Sequence, residues 1–494
     1  MTNSKHNRLI FEIAVIAVLM ICALFIRHKG FHNGGRFTFD EALYAFMAYE
    51  MYHDISHYNA INYTNQYLRS RPGKPMPPYL FKKLFKHPPL YCFLILNSYK
   101  VHEGVGLFNP QQITQDMIMS QAVWVSILMG AFTVGLIYCI ARIIYGIIPA
   151  LIASWFMVID PVHWICSQKV WMETTLTFFM ALAPFLYILS YRKKDGHPLY
   201  FALSGLTLGF AALTKYPGGI MLGAIVFYTL LTRPAFFRRP VWLLVPICMF
   251  IILMPWIFRN LEEYGLAFIF GEGKGFADIR LGYTALKKIL LASIIPVGAG
   301  VALYYTIKKK QVSFSIVKIP AILKNKFVWM AVTGVLILVC LGSNLFGILS
   351  ALSLKHEPET SWRMLFFKDE PWYFYLKRLF IYSPIYIFAY ICPFLIMWKK
   401  REHHLLPILC AGVVVVFFIA WGNFQCRYIL PAVPWLLVMA GYTVNFINTS
   451  ILKLENKPLR AVLLGGLWLF VLFAFIKALQ IDAVLAWTNK PCYF

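Results

Sequence analysis

Long apolar runs, each about as long as a bilayer is thick, recur from one end of this chain to the other. A helix needs about 20 predominantly apolar residues to cross the hydrocarbon core. Within lipid, every backbone polar group must be satisfied inside its own segment or by a neighbouring segment. These two constraints leave one fold class, an all-α polytopic membrane protein. Thirteen spans are expected, near 9–26, 119–140, 144–160, 170–189, 199–214, 218–231, 241–258, 289–307, 327–350, 376–397, 405–421, 428–447 and 461–479. Composition agrees, because only 14% of residues are charged, against about 25% in soluble domains. The first run follows Lys5 and Arg8, exceeds a signal-peptide core in length and lacks a small-x-small site, so it is counted as a span.

The net charge of +25 is organised by topology rather than by a nucleic-acid surface. With the N-terminus cytoplasmic, the short inside segments hold Lys5 and Arg8, Arg142, Arg192 to Lys194, Arg233 to Arg239, Lys308 to Lys326, Lys399 to Arg401, and Lys453 to Arg460. Only Asp195, Glu402 and Glu455 oppose them, which is the positive-inside pattern. The C-terminus is then outside, and residues 1–494 form one transmembrane domain with no separate C-terminal soluble domain. The largest outside segment, 27–118, contains two amphipathic stretches, 41–53 and 79–99, expected as interfacial helices. Cys22, Cys139, Cys248, Cys340, Cys392 and Cys410 lie inside apolar runs, where a thiol behaves as a small hydrophobe.

Several polar constellations stand out on the outer side. Asp40 and Glu41 form a carboxylate pair, suited to acid/base or metal chemistry or simply to the first turn of a helix. Lys86-His87-Pro88-Pro89 places a cation on a rigid turn, for an anion or for lipid headgroups. Arg427, followed by Tyr428, opens a span where a cation opposes the helix dipole and so calls for an anion. Glu173 opens another span, and Lys215 occupies a tight outer hairpin. Local ion pairing and snorkelling are the plain alternatives for these two. Glu12, inside the first span, is expected to snorkel at its edge. His53 and His57 have the spacing of a zinc helix but no evident third ligand. Gly271, Gly273 and Gly275 form a GxGxG with no strand before it, and Gly205 and Gly209 form a GxxxG suited to close helix packing.

Taken in order, FDEALYAFMAYEM, KHPPLYCFLI, SQKVWMETTLTFFMALA, LSGLTLGFAALTKYPGGI and RYILPAVPWLLVMAG resemble the motifs of the C-type polyprenyl-phosphate-sugar glycosyltransferases. The nearest branches are the protein mannosyltransferases and the lipid A aminoarabinose transferase. The resemblance spans about residues 9–447. It implies a catalytic carboxylate at Asp40 with Glu41 beside it, a donor-phosphate contact at Lys86, an acidic residue at Glu173 and a cation at Arg427. Two positions depart from the family pattern. Leu43 stands where an Arg is common, and Gln168 and Lys169 stand where an Arg usually precedes the fourth span.

The resemblance implies a membrane enzyme that moves a sugar from a polyprenyl-phosphate donor to a hydroxyl or amine of an envelope lipid, glycan or protein, with inversion at the sugar C1. His87, Lys215 and Tyr428 would complete the substrate-binding set. The resemblance names no certain cofactor and leaves a divalent metal at the carboxylates open. Nucleic acid is not an expected partner; membrane lipids are. A lipid or sugar transporter is the rival, but transporters place their sites in broken helices at the midplane and show internal repeats. Neither is visible here, and a transporter does not need a long outer segment carrying paired carboxylates. The topology yields a first test. A cysteine introduced into 27–118 is expected to label with an impermeant thiol reagent only from outside, and one in 308–326 only from inside. Labelling of both from one face contradicts the arrangement.

Overall fold

The computed structural model describes residues 2–31, 37–73, 76, 78–110, 114–192, 196–265, 373–398, 404–421 and 425–487. The expected spans at 289–307 and 327–350, and the glycines at 271–275, lie outside the described residues. Helix α1 (Thr2–Phe31) is the first span. The segment between α1 and the next long helix then forms α2 (Phe39–His53), α3 (Ile61–Ser70) and α4 (Leu90–Gly104). Next come α5 (Gln115–Ile144), α6 (Ile147–Val158), α7 (Pro161–Ser167), α8 (Met172–Tyr191), α9 (Pro198–Thr214), α10 (Ile220–Thr232) and α11 (Leu244–Tyr264). The described C-terminal part adds α12 (Phe374–Tyr382), α13 (Tyr386–Trp398), α14 (Leu405–Trp421), α15 (Val433–Ile451) and α16 (Lys457–Trp487). Six helices among the described residues are long and apolar enough to cross a membrane, or seven if α6 and α7 count as one bent span. The protein is an integral, multi-pass membrane protein.

The stretch expected as one interfacial helix at 79–99 is divided. A short 3-10 turn covers Pro78–Phe81, and α4 starts only at Leu90. Pro88 and Pro89 cause the division, since neither has an N–H to continue a helix from the preceding turn. The pattern at 41–53 does form a helix, α2, but most of its surface is buried, with Leu43, Ala45, Met47, Ala48 and Met51 in a second core. That core includes Tyr91, Ile95 and Tyr99 of α4, Ile118, Met119 and Val123 of α5, and Trp256 of α11. This segment is thus packed onto the bundle. The His53/His57 spacing does not form a helical face, because α2 ends at His53 and Asp54 caps it.

The third expected span breaks at Ile159 and Asp160, where α6 and α7 meet at 54°. A break inside a membrane exposes carbonyls at one helix end and N–H groups at the other, and each needs a partner. Arg27, fully buried, supplies the first set. Its guanidinium donates to the carbonyls of Val158 (3.2 Å), Met157 (3.2 Å) and Ala23 (3.1 Å) and to Nδ1 of His163 (2.6 Å). Asp160 supplies the second by accepting the His163 N–H at 2.9 Å as the N-cap of α7. The Tyr386 hydroxyl, from α13, donates to its other oxygen at 2.6 Å. Glu12 does more than snorkel, because Arg142 of α5 binds it at 2.7 Å and Arg8 at 3.2 Å.

Close helix contact is built with glycine. A Cβ on Gly209 would fall 2.7 Å from Cβ of Ile252, and one on Gly205 would overlap the carbonyl of Val245. The GxxxG therefore packs α9 on α11. Loss of Arg27 removes the donor that faces the Met157 and Val158 carbonyls at the end of α6 and Nδ1 of His163. Each such group costs on the order of 1–3 kcal/mol. Arg27→Met is expected to destabilise the purified protein by about 2–5 kcal/mol, read as a large drop in its melting temperature in detergent. An unchanged melting temperature contradicts this account of the broken span.

Candidate active site

The site begins with the cap of α2. Thr38 and Glu41 form a capping box: the Thr38 N–H and hydroxyl donate to Oε2 of Glu41 at 2.8 and 2.9 Å, and the Glu41 N–H donates to the Thr38 hydroxyl oxygen at 3.4 Å. The loop between α7 and α8 is tied to this cap. Trp171 Nε1 donates to Thr38 Oγ1 at 3.3 Å, and the Val170 N–H donates to Oε1 of Glu41 at 3.4 Å. Lys169 Nζ lies 3.8 Å from Glu41. Glu41 is therefore almost fully enclosed and spoken for, whereas Asp40 beside it keeps 39% of its side chain exposed.

Asp40 starts a line of alternating charges across four elements. Arg427 Nη2 binds its Oδ2 at 2.9 Å, and Arg427 Nε lies 3.8 Å from Oε1 of Glu173. The same Glu173 oxygen accepts from Lys215 Nζ at 2.9 Å. Glu173 is 3% exposed, so its charge persists only because two cations face it. Aromatic rings wall the cations in: Arg427 lies over Trp171 (4.8 Å) and Tyr428 (5.2 Å), and Lys215 over Tyr428 (4.4 Å). Gln425 accepts from Arg427 Nε at 2.8 Å and fixes the fork.

The diproline turn borders this line. Its backbone is strapped from three sides by phenols. Tyr264 donates to the Leu84 carbonyl, Tyr216 to the Lys86 carbonyl at 2.7 Å, and Tyr58 to the His87 carbonyl at 3.1 Å. Trp256 Nε1 in turn holds the Tyr216 hydroxyl at 3.0 Å. Lys86 is buried with its ammonium 3.9 Å above the Tyr79 ring. His87 lies in the combined field of Lys86 and Lys215, and Tyr44 in that of Asp40, Glu173, Tyr79 and Arg427. Desolvation, with the negative charges of Asp40 and Glu173 adding to it, raises the Tyr44 phenol well above its ordinary value, so it stays a neutral donor.

The structure thus gathers Asp40, Glu173, Lys86, His87, Lys215, Arg427 and Tyr428 at one end of the bundle and gives Glu41 a tie to the α7–α8 loop. Gln168 turns away to donate to the Arg27 carbonyl at 3.1 Å. Tyr44, Tyr79 and Trp171 also belong to the site, though the sequence reading did not select them. Tyr44 had a legible signal, since it lies one helical turn beyond Asp40 and so shares its face. Both carboxylates that face the cluster are turned on Arg427, and among the described residues no three His, Cys, Asp or Glu side chains converge as a metal site.

The fold has known counterparts. ArnT from Cupriavidus metallidurans superposes with a TM-score of 0.52 over 98% of this chain and 76% of its own, at 14% identity. The archaeal oligosaccharyltransferase of Archaeoglobus fulgidus gives 0.57 over 97% of this chain, at 12% identity. The chain shares the fold of these two proteins. Residues 86–258, from the diproline turn to α11, match the family model described as dolichyl-phosphate-mannose-protein mannosyltransferase. No curated protein matches the chain in sequence. The chain spans 56% of the archaeal enzyme's length.

The site carries a pH signature. Burial, reinforced by Lys86 and Lys215, pushes the His87 imidazole well below its ordinary value, which is about 6.5. The folded chain therefore keeps His87 neutral where the unfolded chain protonates it. The stability that depends on this is fully present above about pH 6.5 and falls as pH drops below it, toward the depressed folded value. The slope is at most about 1.4 kcal/mol per pH unit. Melting curves from about pH 5 to 7.5 are expected to show this fall in the wild type and a flatter one in His87→Gln. Equal slopes in both would assign the dependence to other groups.

Proposed function

We propose that this protein transfers a sugar from a polyprenyl-phosphate donor to a hydroxyl or amine of an envelope lipid, glycan or protein, at the extracytoplasmic face and with inversion at C1. One observation carries the reading: a half-exposed carboxylate, Asp40, sits in ion-pair contact with Arg427 beside the enclosed cations Lys86 and Lys215. The chemistry asks for this pairing. A base must take the acceptor's proton, and fixed positive charge must meet the phosphate as the bond to C1 breaks. The acceptor oxygen or nitrogen bonds to C1, its proton passes to Asp40, and the C1–O electron pair leaves with the polyprenyl phosphate. The phosphate gains negative charge in that step, so Lys86, Lys215 and Arg427 stabilise the transition state more than the bound donor.

The ion pairs also suggest how donor binding readies the base. Without a donor, Arg427 is held by Asp40 and Glu173. A phosphate that takes Arg427 releases Asp40 toward the acceptor, while Glu173 retains Lys215. Glu41 acts as a positioning residue through its cap and Lys169. Support from relatives runs the same way: the Cupriavidus ArnT was solved bound to undecaprenyl phosphate, and residues 86–258 match a family named for dolichyl-phosphate-mannose. A transporter would have no use for a base next to the phosphate cations. The cytoplasmic placement of the N-terminus is part of the same proposal.

The test is release of free polyprenyl phosphate by the reconstituted chain, given a panel of lipid-phosphate sugars and an envelope extract as acceptor. Asp40→Asn is expected to cut turnover by about 100- to 10,000-fold while donor affinity changes little. Lys86→Ala and Arg427→Ala are expected to lower kcat by about 100-fold each, less than multiplicatively when combined. No carrier release across the panel would sink the transferase reading. Near-wild-type turnover of Asp40→Asn would make Asp40 structural.

A further inference from the structure

Tyr44 follows Asp40 by four residues on α2, so the two share a helix face. Packing fixes its ring. Tyr44 crosses Tyr91 of α4 edge to face at 5.8 Å, and it crosses Phe85, just before the diproline turn, at 6.5 Å. Behind it, Cys92 Sγ lies 3.8 Å from the Tyr44 carbonyl. The residue is only 7% exposed. A ring held by two others has little freedom, and the position of its hydroxyl is set with it.

The neighbouring phenols are already committed. Tyr58, Tyr216 and Tyr264 donate to backbone carbonyls around the diproline turn, and the Tyr91 hydroxyl pairs with that of Ser126 at 2.9 Å. The Tyr44 hydroxyl has no such bond among the described residues. It lies in the field of Asp40, Glu173 and Arg427, and of Tyr79, whose ring carries the Lys86 ammonium at 3.9 Å. The phenol therefore adjoins both parts of the cation set, Arg427 and the Tyr79–Lys86 pair. Desolvation and the two carboxylates keep it protonated. An enclosed hydroxyl that forgoes a bond to water without gaining one in the protein favours a ligand that brings an acceptor oxygen.

We infer that Tyr44 is a further catalytic residue, whose hydroxyl donates a hydrogen bond to a phosphate oxygen of the lipid-linked donor alongside Lys86 and Arg427. The assignment rests on the transfer reaction proposed above. In that step the C1–O electron pair leaves with the carrier, and a phosphodiester carrying one negative charge becomes a monoester that carries more. A hydrogen bond to that oxygen strengthens as its charge grows, so Tyr44 contributes more at the transition state than to the bound donor. The proton stays on the phenol throughout, and the acceptor's proton still passes to Asp40. A neutral donor adds no repulsion to three cations already gathered in one place.

The test compares binding of two probes to the full chain in detergent: undecaprenyl phosphate, a monoester, and its methyl diester, which carries less charge. Tyr44→Phe keeps the ring and removes only the hydroxyl. It is expected to weaken the monoester by about tenfold or more and the diester by less. 3-Fluorotyrosine at position 44, a more acidic phenol, is expected to bind the monoester more tightly than wild type. In the carrier-release assay Tyr44→Phe is expected to lower kcat by about tenfold to a hundredfold. Unchanged monoester affinity in both variants would overturn the role. Equal weakening of monoester and diester would reduce Tyr44 to packing and overturn it as well. A shifted pH profile of kcat with unchanged affinity would place the hydroxyl on Asp40 instead of the phosphate. Release by wild type and undiminished release by Tyr44→Phe would sink this role and leave the transfer reaction standing; no binding and no release by wild type would sink both.

Discussion

A polar group in hydrocarbon has no water to fall back on, and the break between α6 and α7 places several of them there at once. Arg27 resolves it. One side chain on α1 satisfies the carbonyl end of α6 and orients His163 of α7. Asp160, held by Tyr386 of α13, satisfies the start of α7. Three otherwise separate parts of the bundle are joined at this point. The carbonyl of Arg27 also receives Gln168, so the lock extends into the loop that carries Lys169 and Trp171 to the active site. A break in a span is costly unless it is over-determined in this way, and the reward is a loop aimed at α2.

The candidate site follows the same rule of mutual satisfaction. Asp40, Arg427, Glu173 and Lys215 alternate in sign, so each charge faces its opposite. Only Asp40 is substantially open to solvent. That asymmetry separates the roles. Glu173 is enclosed between two cations, while Asp40 keeps an open side. Lys86 is held differently, by a backbone strapped with phenols and a ring beneath its ammonium. Enclosed cations beside a partly exposed carboxylate are the kind of arrangement that a charge-building reaction uses.

Much of this was legible in residues. Apolar run length fixed the helical class, and the proline pair, the GxxxG and the carboxylates were visible as motifs. The charged residues at 40, 86, 173, 215 and 427 were each weak signals with ordinary explanations. Two of those explanations hold in part: Glu173 and Lys215 do form a local ion pair, and Glu41 does begin a helix. What separated Asp40 from Glu41 was not in their types. Adjacent residues on a helix point about 100° apart, and only the packed loop decides which of the two is enclosed.

The sequence by itself determined the solvent this chain folds in, the positions of its apolar helices and the residue types available for chemistry, because these follow from local hydropathy and backbone hydrogen bonding. Tertiary structure alone decided that Arg27 closes the broken span, that Tyr44, Tyr79 and Trp171 border the charges, and that one glutamate oxygen serves both Lys215 and Arg427. Those pairings link residues more than a hundred positions apart, or on separate helices. No local pattern encodes them, since they exist only once the bundle excludes water and every buried charge has to find its partner.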